Sequence, residues 1–298
     1  MPITKSMAKH LYIIGNGFDI YSGLQTKYSD FEEWLKNNYA IVYESLESTY
    51  NFPDIEWWND FEVSLGKLNI EQYVKNNISP TKTKEELIKE IEERPKRNAN
   101  IPISFIRSSS CAKRLSGLFD LVHYCMKKWV ESMNSINGYK RIHLETEDSF
   151  FLNFNYTKTL EWLYNIPKEQ ILHIHGCAFE SEKFIFGHNT STNGQNSSYD
   201  EEKVCDVLGN YYKNPYLYIS QHTKFFENLK DVNYIHIYGL SFSPVDIDYL
   251  DWIFNNTSNE VEWEVSWYND KDKSQINDFV KEHWNIKNRL KLMQLNSK

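Results

Sequence analysis

Leu11-Tyr-Ile-Ile-Gly-Asn-Gly-Phe-Asp19 decides how the rest of the chain is read. A short apolar run ends abruptly in Gly15-Asn16-Gly17. Such a run, with no polar alternation, is the pattern of a strand buried on both faces, as in parallel sheets. Two glycines one residue apart remove side chains that would block a ligand, and they tolerate positive φ. A strand feeding such a loop and then a helix is the usual cradle for a pyrophosphate on backbone N–H groups. The full dinucleotide fingerprint asks for a third glycine three residues after the second. Ile20 stands there, and the next glycine is Gly23. A tight turn with no ligand is the plainer reading of the same residues.

Outward from this stretch, the chain alternates between the two periodicities. Tyr28 to about Glu47 has the spacing of one amphipathic helix, with Ser29 and Asp30 as candidate caps. Another helix starts at Pro53-Asp-Ile-Glu-Trp-Trp-Asn-Asp-Phe-Glu62. Its carboxylates Asp54, Glu56, Asp60 and Glu62 invite a metal reading, but acids gather in first helical turns because of the helix dipole. Residues 80–100 interleave Glu and Lys as a solvated helix ending at Pro95, and 110–133 form a further helix. Strands are then expected at 149–155, 170–175, 184–189, 234–239 and 261–267. Helices are expected at 157–164, in part of 203–230, at 244–256 with Pro244 in the first turn, and at 274–285. Residues 190–200 read as a polar loop. Strands alternating with helices imply an α/β fold, a Rossmann-like, mainly parallel sheet flanked by helices. The expected organisation is a single domain over 1–298 with a helical insertion after the first strand, at about 28–135.

Composition bounds the function. The chain has 298 residues, 41% hydrophobic and 15% aromatic, ample for a packed core. A formal charge of −8 argues against a surface that coats nucleic acid. Four cysteines lie far apart with no C-x-x-C spacing, which suits a reducing compartment and gives no structural zinc motif. The first residues carry no apolar signal core, and no 18-residue apolar run appears. A cytoplasmic protein without membrane association or direct nucleic-acid binding is expected.

Several expected strands end in polar residues or glycine: Asn153-Phe-Asn155-Tyr-Thr, His173-Ile-His175-Gly176 and Tyr238-Gly239-Leu-Ser241. Ligands of parallel sheets sit outside the carboxyl ends of the strands, where Gly15-Asn16-Gly17 also lies. The four ends are expected to converge on one crevice. Each has a plainer reading as well. One asparagine caps the next helix, and a buried histidine usually satisfies packing. His173 and His175 alternate, so strand geometry points both the same way. A zinc site on that pair lacks a local third ligand, with His188 as the distant candidate. His236, between Ile235 and Ile237, reads as structural.

In order along the chain, Leu11-Tyr-Ile-Ile-Gly-Asn-Gly-Phe-Asp19, Gly23-Leu24, Trp57-Trp58 with Phe61-Glu62, Phe154-Asn-Tyr-Thr-Lys-Thr-Leu-Glu161, His173-Ile-His-Gly176, Phe186-Gly-His-Asn189 and Tyr238-Gly-Leu-Ser241 with Asp246 resemble the AbiH family. Proteins of that family are associated with abortive infection, a bacterial response to phage. The family is in turn similar to sirtuin-like domains that bind and cleave NAD. Gly17 to Gly23 has the glycine spacing of that group, and Asn155-Tyr156-Thr157-Lys-Thr-Leu160-Glu161 follows its Asn-Tyr-Asp-x-x-Leu-Glu pattern with Thr157 in place of the aspartate. The paired cysteines of protein deacylases are absent, which disfavours deacylation.

The resemblance implies hydrolysis of the nicotinamide–ribose bond of NAD, with no metal. It implies Asn155 and His175 as catalytic residues. Asn155 positions the attacking water, and a neutral His175 accepts a proton, its ordinary pKa of about 6.5 suiting a general base. Gly15, Asn16 and Gly17 are then expected at the pyrophosphate, Gly239 and Ser241 at the adenosine-side ribose, and Asp19 at a ribose or the loop. A phage-derived trigger and a homo-oligomer are the partners such an activity would call for. Two other classes stay open: a nucleotide-binding sensor without turnover, and a metal-dependent nuclease using His173, His175 and nearby acids.

Overall fold

β1 (His10–Ile14) is buried on both faces and lies at the centre of a six-stranded sheet. The other strands are β2 (Ser149–Asn153), β3 (Ile171–His173), β4 (Tyr234–Tyr238), β5 (Glu262–Trp267) and β6 (Leu290–Gln294). Their order is β3-β2-β1-β4-β5-β6, and every pairing is parallel. This is the doubly wound α/β arrangement expected from the alternation of elements, with the chain reversing its winding direction between β1 and β4. The computed structural model describes residues 9–52, 56–78, 110–133, 140–180, 184–190 and 198–295.

Two compact units emerge. The first comprises the described parts of Met1–Thr26, Met133–Ile185 and Asn214–Lys298 and holds the sheet. Period-two alternation sorts its core. Leu11, Ile13, Ile235 and Ile237 pack with Leu152, Tyr249, Leu250, Ile253, Ile276 and Phe279. Tyr12, Ile14 and Tyr238 pack instead with Phe18, Leu144, Phe151 and Leu160. Phe18 comes from α1 (Asn16–Ser22), which starts directly after the Gly15 turn.

The second unit comprises the described parts of Lys27–Ser132 and Phe186–Lys213. Its helices include α2 (Tyr28–Asn38), α3 (Ala40–Tyr50), α4 (Glu56–Asn59), α5 (Phe61–Leu65), α6 (Ile70–Ile78), α7 (Cys111–Glu131) and, from the later segment, Tyr199–Gly209. Phe31, Trp58, Phe61 and Trp129 form a cluster of touching rings, with Trp58 and Phe61 stacked 5.1 Å apart.

The structure departs from the expected elements in instructive ways. The helix expected over 28–47 is two, broken at Tyr39, whose backbone leaves the helical region while its ring packs on Trp34 and Tyr124. Asp30 does cap, accepting from Lys27 N at 3.0 Å. The strand expected at 184–189 is a single bridge, His188 to Tyr212. The backbone of Gly187 is pressed so tightly on Tyr211 that a Cβ there would sit 1.9 Å from the Tyr211 carbonyl oxygen. The helix expected from 244 begins at Ile247, so Pro244 precedes it rather than opening it. β6 had no counterpart among the expected strands. The helix read over 80–100 lies outside the described residues, as do Pro53, Asp54 and most of the 190–200 loop.

Candidate functional site

The last residues of four strands form one row. Register pairs His173 of β3 with Asn153 of β2, Asn153 with Ile14 of β1, and Ile14 with Tyr238 of β4. Because all strands run in the same direction, the loops that follow them meet at one edge of the sheet. This is the edge where parallel α/β sheets bind ligands.

At the switch between β1 and β4 the glycines meet each other. Gly15 N donates to Tyr238 O at 3.0 Å, and Gly17 N donates to Gly239 O at 2.7 Å. Gly239 has φ +67°, and a Cβ on it would lie 1.9 Å from Phe18 N. Gly15 and Gly17 also leave too little room for a Cβ, which would sit 2.5 Å from Leu240 Cα and 2.8 Å from Gly239 Cα. The close approach of two backbones thus accounts for all three glycines, and two amides expected at a pyrophosphate are engaged inside the fold.

Beside this contact, α1, β2 and β3 assemble a buried polar network. Asp19 is fully buried, and its Oδ2 accepts from Thr157 Oγ1 at 2.5 Å. Thr157 Oγ1 in turn lies 3.0 Å from Thr159 Oγ1. The Asp19 Oδ1 atom is buried without a hydrogen-bond partner among the described residues. Burial pushes the Asp19 carboxyl up to about 6, against the neighbouring polar side chains of Thr157, Thr159 and Asn155, which pull it down. Asn155 Nδ2 donates to Gly15 O at 3.1 Å, which ties the end of β2 to the glycine turn. Asn153 Oδ1 accepts from Asn155 N at 3.0 Å. His173 completes the group. Its Nε2 is 2.9 Å from Glu161 Oε1, and its Nδ1 is 3.3 Å from Asn155 O and 3.4 Å from Asn153 Nδ2.

His173 and His175 therefore do not point the same way. β3 stops at His173 and the chain turns, so strand alternation no longer applies. The His175 ring meets Phe154 and Tyr249 edge-on, with its Nε2 3.4 Å from Tyr249 Oη. Asn16 turns its amide to Thr26 O at 2.7 Å. Ser241 is exposed, and the serine that serves the Gly239 turn is Ser266, buried, whose Oγ accepts from Gly239 N at 2.8 Å. Glu161, Thr159 and Ser266 were not singled out from the sequence. Glu161 ends the Phe154-Asn-Tyr-Thr-Lys-Thr-Leu-Glu161 motif, and that motif was the signal for it.

Other motif residues gather in the helical unit. Lys213, 1% exposed, donates from Nζ to Glu62 Oε2 at 2.5 Å, and Tyr28 Oη donates to Glu62 Oε1 at 2.9 Å. Glu62 is thus an ion-pair partner, and among the described residues no group of three or more His, Cys, Asp and Glu is arranged to hold a metal ion. His188 is buried with Nε2 3.1 Å from Leu208 O and accepts from Thr190 N at Nδ1; burial lowers its pKa. No described helix is long and apolar enough to cross a membrane.

Over residues 11–267 the chain matches a family model described as Bacteriophage abortive infection AbiH. Among curated proteins, none matches the chain.

Proposed function

As the chain belongs to the AbiH family of bacteriophage abortive infection proteins, we propose that it serves this defence by hydrolysing the nicotinamide–ribose bond of NAD. The observation that carries the reading is the buried network of Asp19, Thr157, Asn155 and His173 at the carboxyl edge of β1, β2 and β3. Nicotinamide leaves NAD as a cation becoming neutral, so the enzyme need not protonate it. What it must supply is a rigid seat for the ribose and negative potential near the developing oxocarbenium. Asp19, buried beside Thr157 and Asn155, supplies a carboxylate there. Asn155 is neutral, so it orients water without competing as a nucleophile, and its tether to Gly15 O fixes the direction of its amide. His175, hydrogen-bonded to Tyr249, is the proton acceptor in this reading. Such a base contributes on the order of 10²–10⁴-fold. A constitutive NAD hydrolase would harm its host, so a phage component or self-assembly gates it.

A nucleotide sensor without turnover is the second reading. It is favoured by Thr157, which stands where the NAD-cleaving pattern has an aspartate and whose hydroxyl is engaged by Asp19 Oδ2 at 2.5 Å.

The test is to incubate NAD with wild type and with an Asn155→Ala/His175→Ala variant, and to follow nicotinamide and ADP-ribose by chromatography. Release by wild type alone is expected. NAD bound but uncleaved, in buffer and in phage-infected lysate alike, establishes the sensor instead.

A further inference from the structure

The Asn155 side chain is anchored on Gly15, but its backbone is held from the opposite side, by a chain that begins on the helix Thr159–Tyr164. Glu161 on that helix meets His173 Nε2 at 2.9 Å, and His173 Nδ1 faces Asn155 O at 3.3 Å and Asn153 Nδ2 at 3.4 Å. We propose that Glu161 and His173 are a positioning pair that sets Asn155 for catalysis. The proposal rests on the NAD-cleaving reading for its chemistry, and on geometry for its assignment.

The proton inventory supports the pair. An ionised Glu161 only accepts, so His173 Nε2 carries a proton and donates to it. The neutral ring then presents a bare Nδ1, which accepts from Asn153 Nδ2. A protonated ring instead donates from Nδ1 to Asn155 O. Both states find a partner without the ring moving, because acceptor and donor lie within 0.1 Å of equal distance from the same nitrogen. Asn153 closes the loop by accepting from Asn155 N in either state, and a protonated His173 ring engages the Asn155 carbonyl as well. The side chains of His173 and Glu161 are 9% and 18% exposed, which keeps water from competing for these bonds. A carboxylate fixing the far nitrogen of an imidazole, whose near nitrogen serves the site, is the general logic of oriented histidines.

The pair separates chemically into its two ends. A Gln side chain reaches the position of Nε2, and an Asn side chain that of Nδ1. His173→Gln retains the contact with Glu161 and loses Asn155, whereas His173→Asn does the reverse. With NAD as substrate, His173→Ala and His173→Gln are expected to lower kcat on the order of 10²-fold, the scale of a misplaced reacting group, with KM within about 3-fold. His173→Asn is expected to recover most of that loss. A merely structural role moves stability without this split, and equal kcat for the Gln and Asn variants overturns the proposal. Long-range ¹⁵N–¹H spectra of the imidazoles give a readout that needs no turnover. Wild type is expected to show His173 protonated at Nε2, and Glu161→Leu, with its fold checked by circular dichroism, is expected to lose that tautomer preference. An unchanged tautomer in Glu161→Leu sinks the pair even if NAD is cleaved. An altered tautomer in Glu161→Leu, with a wild type that releases no nicotinamide even in phage-infected lysate, upholds the contact and sinks the NAD reading alone.

Discussion

Gly17 N donates to Gly239 O at 2.7 Å, and a Cβ on Gly239 would stand 2.4 Å from the Gly17 carbonyl carbon and 1.9 Å from Phe18 N. The two loops that leave β1 and β4 are therefore in backbone contact, and this contact, at the switch point of the sheet, needs glycine on structural grounds alone.

Gly239→Ala is accordingly expected to destabilise the protein with no ligand present. A side chain at φ +67° costs roughly 1–2 kcal/mol before any collision is counted. For 298 residues that term alone lowers the thermal midpoint by roughly 2–3 °C. If the glycine existed only to admit a ligand, the melting curve of the unliganded variant would match wild type.

Ser266 and Ser241 make a second comparison. Ser266→Ala leaves Gly239 N without its side-chain acceptor, at an expected cost of about 1–3 kcal/mol in denaturant unfolding. Ser241 is exposed, and Ser241→Ala is expected to stay within about 0.5 kcal/mol. Equal effects of the two would show that the Ser266 bond does not hold the turn.

In the helical unit, Lys213→Met removes the ammonium facing the buried Glu62 carboxylate, which still accepts from Tyr28 Oη. Breaking such a pair from one side costs roughly 3–5 kcal/mol, whereas removing both charges costs much less. Lys213→Met/Glu62→Leu is therefore expected to be more stable than Lys213→Met, measured by urea midpoint. A double variant weaker than the single one refutes the ion-pair account.

Asp19 has an acid–base signature. Its carboxyl is raised to about 6 by burial, above the 3.8 of the unfolded chain, so the fold favours the neutral form. Its contribution to stability is whole below pH 3.8 and is lost as pH rises through about 6, on the order of 3 kcal/mol in all. The groups it faces are Thr157, Thr159, Asn155 and His173. Asp19→Asn is expected to gain on wild type at pH 7.5 relative to pH 4.5 in parallel unfolding curves. A difference that is flat with pH would mean that Asp19 is charged throughout.

His236 runs in the opposite sense. Burial lowers its pKa from 6.5 to about 4, against Glu264, while His10 and Lys291 add to the lowering. Its Nε2 lies 3.1 Å from His10 Nδ1, and its ring stacks on Tyr12 at 4.4 Å. Stability from the neutral ring is whole above pH 6.5 and is lost as pH falls through about 4. His236→Phe is expected to flatten the acid limb of a stability–pH curve between those values, and an unaltered limb argues against the assignment.

The buried run Leu11–Ile14, and the alternation of strands and helices after residue 149, were enough for a parallel α/β sheet, because apolar runs of this length must be covered on both faces. The family was legible too, through short motifs kept in order over most of the chain. Asn155, Asp19 and the glycine turns were legible as residues of the strand ends. Their partners were not. Tyr39 breaks a helix whose spacing looked continuous, because its ring finds Trp34 and Tyr124. The strand β6 is five residues with a charged member, and only its pairing with β5 makes it a strand.

The sequence by itself determined which residues lie at the ends of the buried strands, since local hydrophobic period and glycine placement are properties of neighbours along the chain. Only the tertiary structure decided that Gly15 and Gly17 meet Gly239, that Ser266 rather than Ser241 serves that turn, and that His173 rather than His175 reaches Asn155. The reason is physical: β3 ends at His173, and one residue of strand more or less decides to which side of the sheet a side chain turns.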